Sequence, residues 1–230
     1  MRIAILDDDS VVLELLRAAS ESLGHPCHTF VTGASLLQAL RRESFDMLVV
    51  DWQLPDAEGP EIVRAVRALT GPQMLILFVT RRQDESDIVE AFASGADDFM
   101  SKPIRLGEFT SRVAALARRA YPDASGAALA FGPYSFREET RSVELHGKAL
   151  PLTDREYALA LSMFQNCGRL LSREHLRETV WNQVYDVPSR TIDTHVSRLR
   201  GKLRLGPDTG YTVTAVYGVG YRLEAAAPPA

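Results

Sequence analysis

Cysteine is scarce in this sequence, and long apolar runs are missing. Only Cys27 and Cys167 occur among 230 residues, far apart and with no metal-ligand spacing around them. That count argues against a disulfide-stapled fold or a thiolate metal centre. It reads instead as two reduced thiols, as suits a cytoplasmic protein. No apolar stretch approaches the roughly 18 residues needed to span a bilayer, and the chain begins directly on a strand pattern. Neither a membrane span nor a signal peptide is therefore expected. Internal repeats and low-complexity tracts are also missing. Nor is there a large charge of one sign: 26 Lys+Arg against 30 Asp+Glu leave a net −4. What remains is an ordinary globular composition, 46% hydrophobic and 24% charged, over a length that suits two domains.

The charge divides unevenly. Residues 1–120 hold 13 Lys+Arg and 18 Asp+Glu, a net of −5, and residues 121–230 hold 13 and 12, a net of +1. Within 190–204, Arg190, Arg198, Arg200, Lys202 and Arg204 face the single acid Asp193. This is the local kind of basic patch that nucleic acid requires.

Strand-length apolar runs at Ile3–Leu6, Met47–Val50 and Met74–Val79, with weaker ones at Cys27–Val31 and Asp97–Met100, alternate with helix-period segments. Those helices are expected near Val11–Leu23, Ala34–Arg42, Glu61–Leu69, Glu85–Ala93 and Gly107–Ala120. Buried runs without polar alternation predict a parallel sheet covered on both faces. Five β–α units make it doubly wound and flavodoxin-like over residues 1–120. "YPDASGA" breaks the pattern, giving a linker at 121–126. A second, α+β domain is expected over 127–225, followed by a short tail at 226–230. It has short strands in "ALAFGPYSF" and "SVELHGKAL", helices near Asp154–Asn166, Ser172–Trp181 and Arg190–Leu203, and a closing hairpin in "YTVTAVYGVGYRL". Thr153 and Glu156 have capping-box spacing.

In a doubly wound sheet, ligands bind beyond the carboxyl ends of the strands. Asp7 and Asp8 follow the first strand, Asp51 ends "DMLVVD", Thr80 ends "LILFVT" and Lys102 follows "DDFMS". Carboxylates converging there make a hard oxygen site suited to Mg²⁺. A lysine opposite and a hydroxyl nearby suit a phosphoryl group on one carboxylate. Asp9 is better read as a helix N-terminal acid.

The motifs "ILDDD", "VVDWQLPDAEG", "FVT" and "GADDFMSKP" resemble the CheY-like receiver domain of bacterial two-component response regulators, over essentially all of residues 1–120. The resemblance implies that Asp51 is the phosphoacceptor, served by a sensor histidine kinase. Mg²⁺ would be held by Asp7, Asp8, Asp51 and the backbone carbonyl of Gln53. Lys102 would pair with phosphoryl oxygens, with a cis bond to Pro103 as is common in the family. Thr80 and Phe99 would be the switch pair. A rival from another class is the D-x-D-x-V pattern at Asp7, Asp9 and Val11, which fits a haloacid-dehalogenase-type phosphatase with Asp7 as nucleophile. Nothing of cap-domain size interrupts the first half, and that reading leaves Asp51 unexplained.

In "SRTIDTHVSRLRGKL", Ile192, Val196, Leu199 and Leu203 form an apolar stripe. Arg190, Thr194, Ser197 and Arg198 turn away from it, with His195 and Arg200 on the flanks. Such a helix is either a major-groove reader or a solvated surface helix. Residues 127–225 resemble the winged helix-turn-helix effector domain of the OmpR/PhoB class, through "LPLTDREYALALSMFQNCGRLLSREHLRETVW", "RTIDTHVSRLRGKL" and "YGVGYRL". That implies binding to double-stranded promoter DNA through Arg190, Thr194, His195, Ser197, Arg198 and Arg200, with Tyr217 on the wing. The resemblance also implies RNA polymerase contact through "NQVYDVP", and a homodimer on phosphorylation.

Three positions depart from the family pattern. Tyr217 stands where arginine is usual. Arg81 stands where a small residue is usual, and its side chain over an acyl phosphate would slow hydrolysis. In the dimer face, Val89 and Phe92 match the apolar patch and Asp98 and Arg112 match an ion pair. Ile88 replaces a basic residue there and leaves Glu108 without its usual partner. These departures leave open a regulator that binds DNA without phosphorylation.

Overall fold

Apolar tetrads alternate their side chains between two faces, and this builds the first sheet. In β1 (Ile3–Leu6) and β3 (Met47–Val50) every residue is buried. Ile3, Ile5, Met47 and Val49 join one core and Ala4, Leu6, Leu48 and Val50 the other. Period-two alternation with both faces apolar requires helices on both sides. The computed structural model describes residues 1–121, 128–181 and 189–225, without the side chains of residues 189 and 190. The segment 182–188, residues 122–126 of the expected linker and the 226–230 tail lie outside the described residues.

With β2 (Cys27–Phe30), β4 (Leu75–Thr80) and β5 (Asp98–Ser101), the sheet is parallel throughout, in the order β2-β1-β3-β4-β5. Leu13 and Leu16 of α1 (Ser10–Ser22) and Phe109 and Val113 of α5 (Leu106–Ala120) close one face. The helices α2 (Gly33–Leu40), α3 (Gly59–Thr70) and α4 (Glu85–Ser94) close the other. Strand order reverses between β1 and β3, so their carboxyl ends open the crevice where such sheets bind ligands. Asp9 caps α1 by accepting from the Val11 and Val12 amides at 2.9 and 3.4 Å, as expected of it. Gly59 lets α3 start hard against the crevice, since a Cβ there would lie 2.6 Å from the Asp51 carbonyl oxygen and 2.9 Å from Trp52 Cα.

The chain divides into two units, 1–122 and 123–230. Tyr121, assigned by sequence to the linker, is tied to the first unit by donating its hydroxyl to Asp46 Oδ1 at 2.9 Å.

The second unit opens with an antiparallel meander of β6 (Leu129–Phe131), β7 (Tyr134–Arg137), β8 (Ser142–Leu145) and β9 (Lys148–Leu150). Three helices follow, α6 (Asp154–Gln165), α7 (Arg173–Trp181) and α8 (Ser189–Lys202). A three-stranded sheet, β10-β12-β11, ends it, with β10 at Leu170–Ser172, β11 at Tyr211–Val216 and β12 at Gly220–Ala225. Thr153 and Glu156 form the expected capping box on α6. The helix read from Ser172 begins one residue later, because Leu170–Ser172 pairs antiparallel with β12. Packing of β10 is close: a Cβ on Gly220 would lie 1.9 Å from the Leu171 carbonyl oxygen. No helix among the described residues is long and apolar enough to cross a membrane.

Candidate functional site

The chain turns out of β1 and β3 as soon as their apolar runs end, which leaves Asp7 and Asp51 at adjacent strand ends. Both are buried, whereas Asp8 is exposed. Lys102, just after β5, bridges the pair. Its Nζ donates to Asp7 Oδ2 at 2.7 Å and to Asp51 Oδ2 at 2.8 Å. The remaining oxygens accept backbone amides, Asp7 Oδ1 from Asp9 at 2.9 Å and Asp51 Oδ1 from Trp52 at 2.6 Å. A cleft of about 270 Å³ opens here, lined by Asp8, Asp9, Asp51, Gln53, Arg81 and Lys102. Thr80 ends β4, buried, its hydroxyl accepting the Arg82 amide at 3.2 Å. Phe99 is half-buried beside Phe78 in the β4–β5 register, and the Lys102–Pro103 bond is cis. The expected pocket residues therefore sit at the strand ends where the spacing put them.

Its electrostatics are those of an anionic site. Burial raises the pKa of Asp7, against the pull of the Lys102 ammonium and the Asp9 amide, and the Asp51 charge adds to the rise. Burial opposes the charged form of Lys102, but its bonds to Asp51 and Asp7 outweigh that and raise its pKa. Acid and base both hold their protons more tightly, as expected where three carboxylates meet one ammonium. Asp7, Asp8 and Asp51 offer oxygens that all lie within 4.8 Å of one another. An octahedral Mg²⁺ with bonds near 2.1 Å spaces its ligands about 3 to 4.2 Å apart. Small side-chain shifts bring these three onto one ion, so the donor set fits a hard divalent cation.

Arg82, which sequence reasoning passed over, ties the loops around this cleft. Its guanidinium lies 5.1 Å from the Trp52 ring and pairs with Asp87 in the first turn of α4 at 3.2 Å and with Glu58 at 3.7 Å. Its place two residues after Thr80 was the only hint available.

On the α4–β5–α5 face, Val89 and Phe92 are 61% and 47% exposed. Ile88 leaves Glu108 without the basic partner usual at that position, but Glu108 has a partner within its own helix. Glu108 Oε1 accepts from Arg112 Nη2 at 2.8 Å, one helical turn away, while Arg112 Nη1 reaches Asp98 at 2.9 Å. One guanidinium serves both acids because all three project from adjoining positions of β5 and α5.

In the second unit, Ile192, Val196, Leu199 and Leu203 are buried as the stripe predicts, and Thr194, Ser197 and Arg198 are exposed. The side chain of Arg190 lies outside the described residues. Arg200 is exposed, and its guanidinium donates to the Val213 carbonyl on β11. His195, on the flank of the helix, is half-buried, edge-on to Trp181 at 5.3 Å between ring centroids. Burial lowers its pKa. Tyr217 is fully exposed at the β11–β12 turn. Asp193, read only as the lone acid of a basic run, is a junction. It accepts from Tyr221 on β12 at 2.5 Å and from Arg173 on α7 at 2.9 Å, and these donors hold its pKa down. Together with the Tyr134 hydroxyl on the Leu203 carbonyl and the Lys202–Glu156 pair at 2.7 Å, it fixes α8 against the rest of the unit.

Comparison with known proteins matches both halves. Residues 3–114 fit the response regulator receiver domain family, and residues 147–223 fit the family described as transcriptional regulatory protein, C terminal. The phosphate regulon transcriptional regulatory protein PhoB of Rhizobium meliloti is 34% identical over 226 residues, covering 97% of this chain and 98% of that one. The response regulator protein PmrA of Pseudomonas aeruginosa is 35% identical over 231 residues, covering 99% and 100%. Among solved structures, a two-component response regulator from Clostridium difficile shares the fold over 53% of this chain and 98% of its own, with TM-score 0.51 at 23% identity. With both family matches in this order and identity sustained along nearly the whole length, the chain belongs to the OmpR/PhoB class of two-component response regulators, transcription regulators with a receiver domain followed by a DNA-binding domain.

Proposed function

We propose that the protein is a cytoplasmic, phosphorylation-dependent transcription factor. Asp51 takes a phosphoryl group from the phosphohistidine of a sensor kinase: the new bond forms to a carboxylate oxygen, and the P–N bond to the imidazole breaks. The observation that carries this is Lys102 bridging Asp7 and Asp51, with Asp8 alongside, at the carboxyl ends of a parallel sheet. Asp7, Asp8, Asp51 and the Gln53 carbonyl would hold Mg²⁺, which when bound offsets the charge of the carboxylates and the incoming phosphoryl group. Lys102 then exchanges one carboxylate partner for a phosphoryl oxygen, and the Thr80 hydroxyl gives up the Arg82 amide for another. Phe99 turns inward behind it. The receiver shifts towards a form that dimerises through Val89, Phe92, Asp98, Glu108 and Arg112.

Paired effector units then occupy adjacent half-sites of promoter DNA. Arg190, Thr194, Ser197, Arg198 and Arg200 of α8 face the major groove, and Tyr217 meets the backbone or minor groove. His195, packed on Trp181, supports that helix more than it reads from it. The segment 182–188 is the proposed contact for RNA polymerase, on the family resemblance alone. The protein is no enzyme beyond the part its receiver takes in its own phosphorylation and dephosphorylation.

Sizing the protein with and without beryllofluoride and Mg²⁺, beside a DNA-binding assay, tests this reading. A dimer and tighter DNA binding are expected only when both additions are present. If Asp51→Asn binds DNA and regulates as well as wild type with kinase present, the protein is a phosphorylation-independent regulator instead.

A further inference from the structure

We infer that Arg81 is a second phosphoryl ligand, one that works against Mg²⁺ before transfer and for the phosphoryl group after it. This deepens the assignment of Asp51 as phosphoacceptor and rests on it. Arg81 follows Thr80 directly and lines the acidic cleft with Asp8, Asp51 and Lys102. It is exposed, and no hydrogen bond or ion pair among the described residues engages its guanidinium. Lys102, which also lines the cleft, and Arg82, next in sequence, are both committed. Lys102 is bonded to both Asp7 and Asp51, and Arg82 to Glu58 and Asp87 across the Trp52 ring. Arg81 is thus the cation at the cleft with donors to spare, and its planar fork matches two phosphoryl oxygens at once.

Charge sets the sign of each effect. Before transfer, Asp7, Asp8 and Asp51 meet Lys102 and Arg81, so the guanidinium dilutes the anionic field that attracts a divalent cation. After transfer, a phosphoryl dianion replaces the single charge of Asp51. With Mg²⁺ present, Arg81 brings the site from one excess negative charge to balance. A side chain that merely packs at the cleft mouth does not move the two affinities in opposite directions.

The test is a pair of titrations on the full chain, in a Trp181→Phe background. Trp52, fully buried next to Asp51, is then the sole tryptophan. Mg²⁺ is titrated alone, and beryllofluoride at saturating Mg²⁺, for wild type, Arg81→Gln and Arg81→Lys. Arg81→Gln is expected to bind Mg²⁺ about threefold more tightly, the release of one exposed repulsion. It should bind beryllofluoride about tenfold more weakly, the loss of one charge-assisted contact. Arg81→Lys should keep the wild-type Mg²⁺ affinity and recover part of the beryllofluoride affinity. Changes of the same sign, or none, in Arg81→Gln overturn the inference. An Arg81-dependent response to inorganic phosphate that survives in Asp51→Asn also overturns it, since the site would then take free anions. Wild type that binds no beryllofluoride refutes the phosphoacceptor assignment instead, a result distinct from any Arg81 outcome.

Discussion

Replacing Asp7 with asparagine should stabilise the metal-free receiver. Asp7 is buried, repelled by Asp8 and Asp51, whose ligand oxygens lie within 4.8 Å, and attracted by Lys102 Nζ at 2.7 Å. At an effective dielectric near 20, each repulsion is about 3.5 kcal/mol and the attraction about 6 kcal/mol, with the repulsion from exposed Asp8 reduced by solvent. Repulsion and attraction nearly offset, so the gain comes chiefly from relieving the burial of a charge, the largest cause of the raised pKa. Asparagine still offers an oxygen to the Asp9 amide. The expected gain is about 1–2 kcal/mol, or roughly 4–8 °C in Tm for a unit of this size. Urea unfolding in EDTA, followed by Trp52 emission in the Trp181→Phe background, measures it. The raised pKa of Asp7 fixes the pH dependence. The stability associated with its protonation is fully present below the unfolded value of 3.8 and is lost as pH rises through the folded one. The advantage of Asp7→Asn should accordingly vanish in acid and grow towards neutrality. Mg²⁺ should stabilise wild type and do little for the variant. A variant less stable than wild type in EDTA at pH 7, or equally stabilised by Mg²⁺, would refute the reasoning.

Gly220→Ala forces a Cβ to 1.9 Å from the Leu171 carbonyl oxygen and 2.8 Å from Ser172 Cα. Because the obstacles are backbone, a loss of about 3 kcal/mol or more is expected in the effector unit's melting, with Mg²⁺ binding by the receiver unchanged. Tyr217→Arg adds a cation at the wing tip, so DNA affinity should rise and the slope of log affinity on log salt should steepen by about one. Arg198→Gln should flatten that slope by about one. Glu156→Gln breaks the pair with Lys202, which together with Thr153 holds the Glu156 pKa down despite burial. The cost, about 1 kcal/mol at pH 7, should disappear as pH falls below the ordinary glutamate value, as measured by urea titration at several pH values. Arg81→Ala should shorten the lifetime of the phosphoryl group on Asp51, followed by loss of radiolabel.

Strands buried on both faces carry their own signal. Ile3–Leu6 and Met47–Val50 could be read to the residue because nothing polar interrupts them. The aspartates after them then fell at strand ends, where parallel sheets bind ligands. The stripe Ile192, Val196, Leu199 and Leu203 was equally plain. Three residues, Leu170–Ser172, are too few to show a period, and β10 stayed hidden until its partner strand was known. Side-chain reach was illegible as well. The spacing of Asp98, Glu108 and Arg112 fits pairing within a chain or between chains. His195 lies on a flank of its helix, and only the arrival of Trp181 from α7 turns it inward. The junctions at Arg82 and Asp193 each gather partners from separate elements, which no local pattern records.

Arg112 is already satisfied at home, held by Asp98 and Glu108 of its own chain. Any second copy that offers it a carboxylate proposes an exchange of partners, in which a bond is given up for each one made. Such a trade is close to neutral in energy, and salt should weaken both sides of it alike. What it supplies is alignment: one angle of approach lets every arginine change partner together, and other angles strand a charge. Were two copies to meet on this face, attraction would have to come from Val89 and Phe92, both exposed. Self-association through this face should therefore tolerate salt and respond sharply to a polar substitution at Phe92.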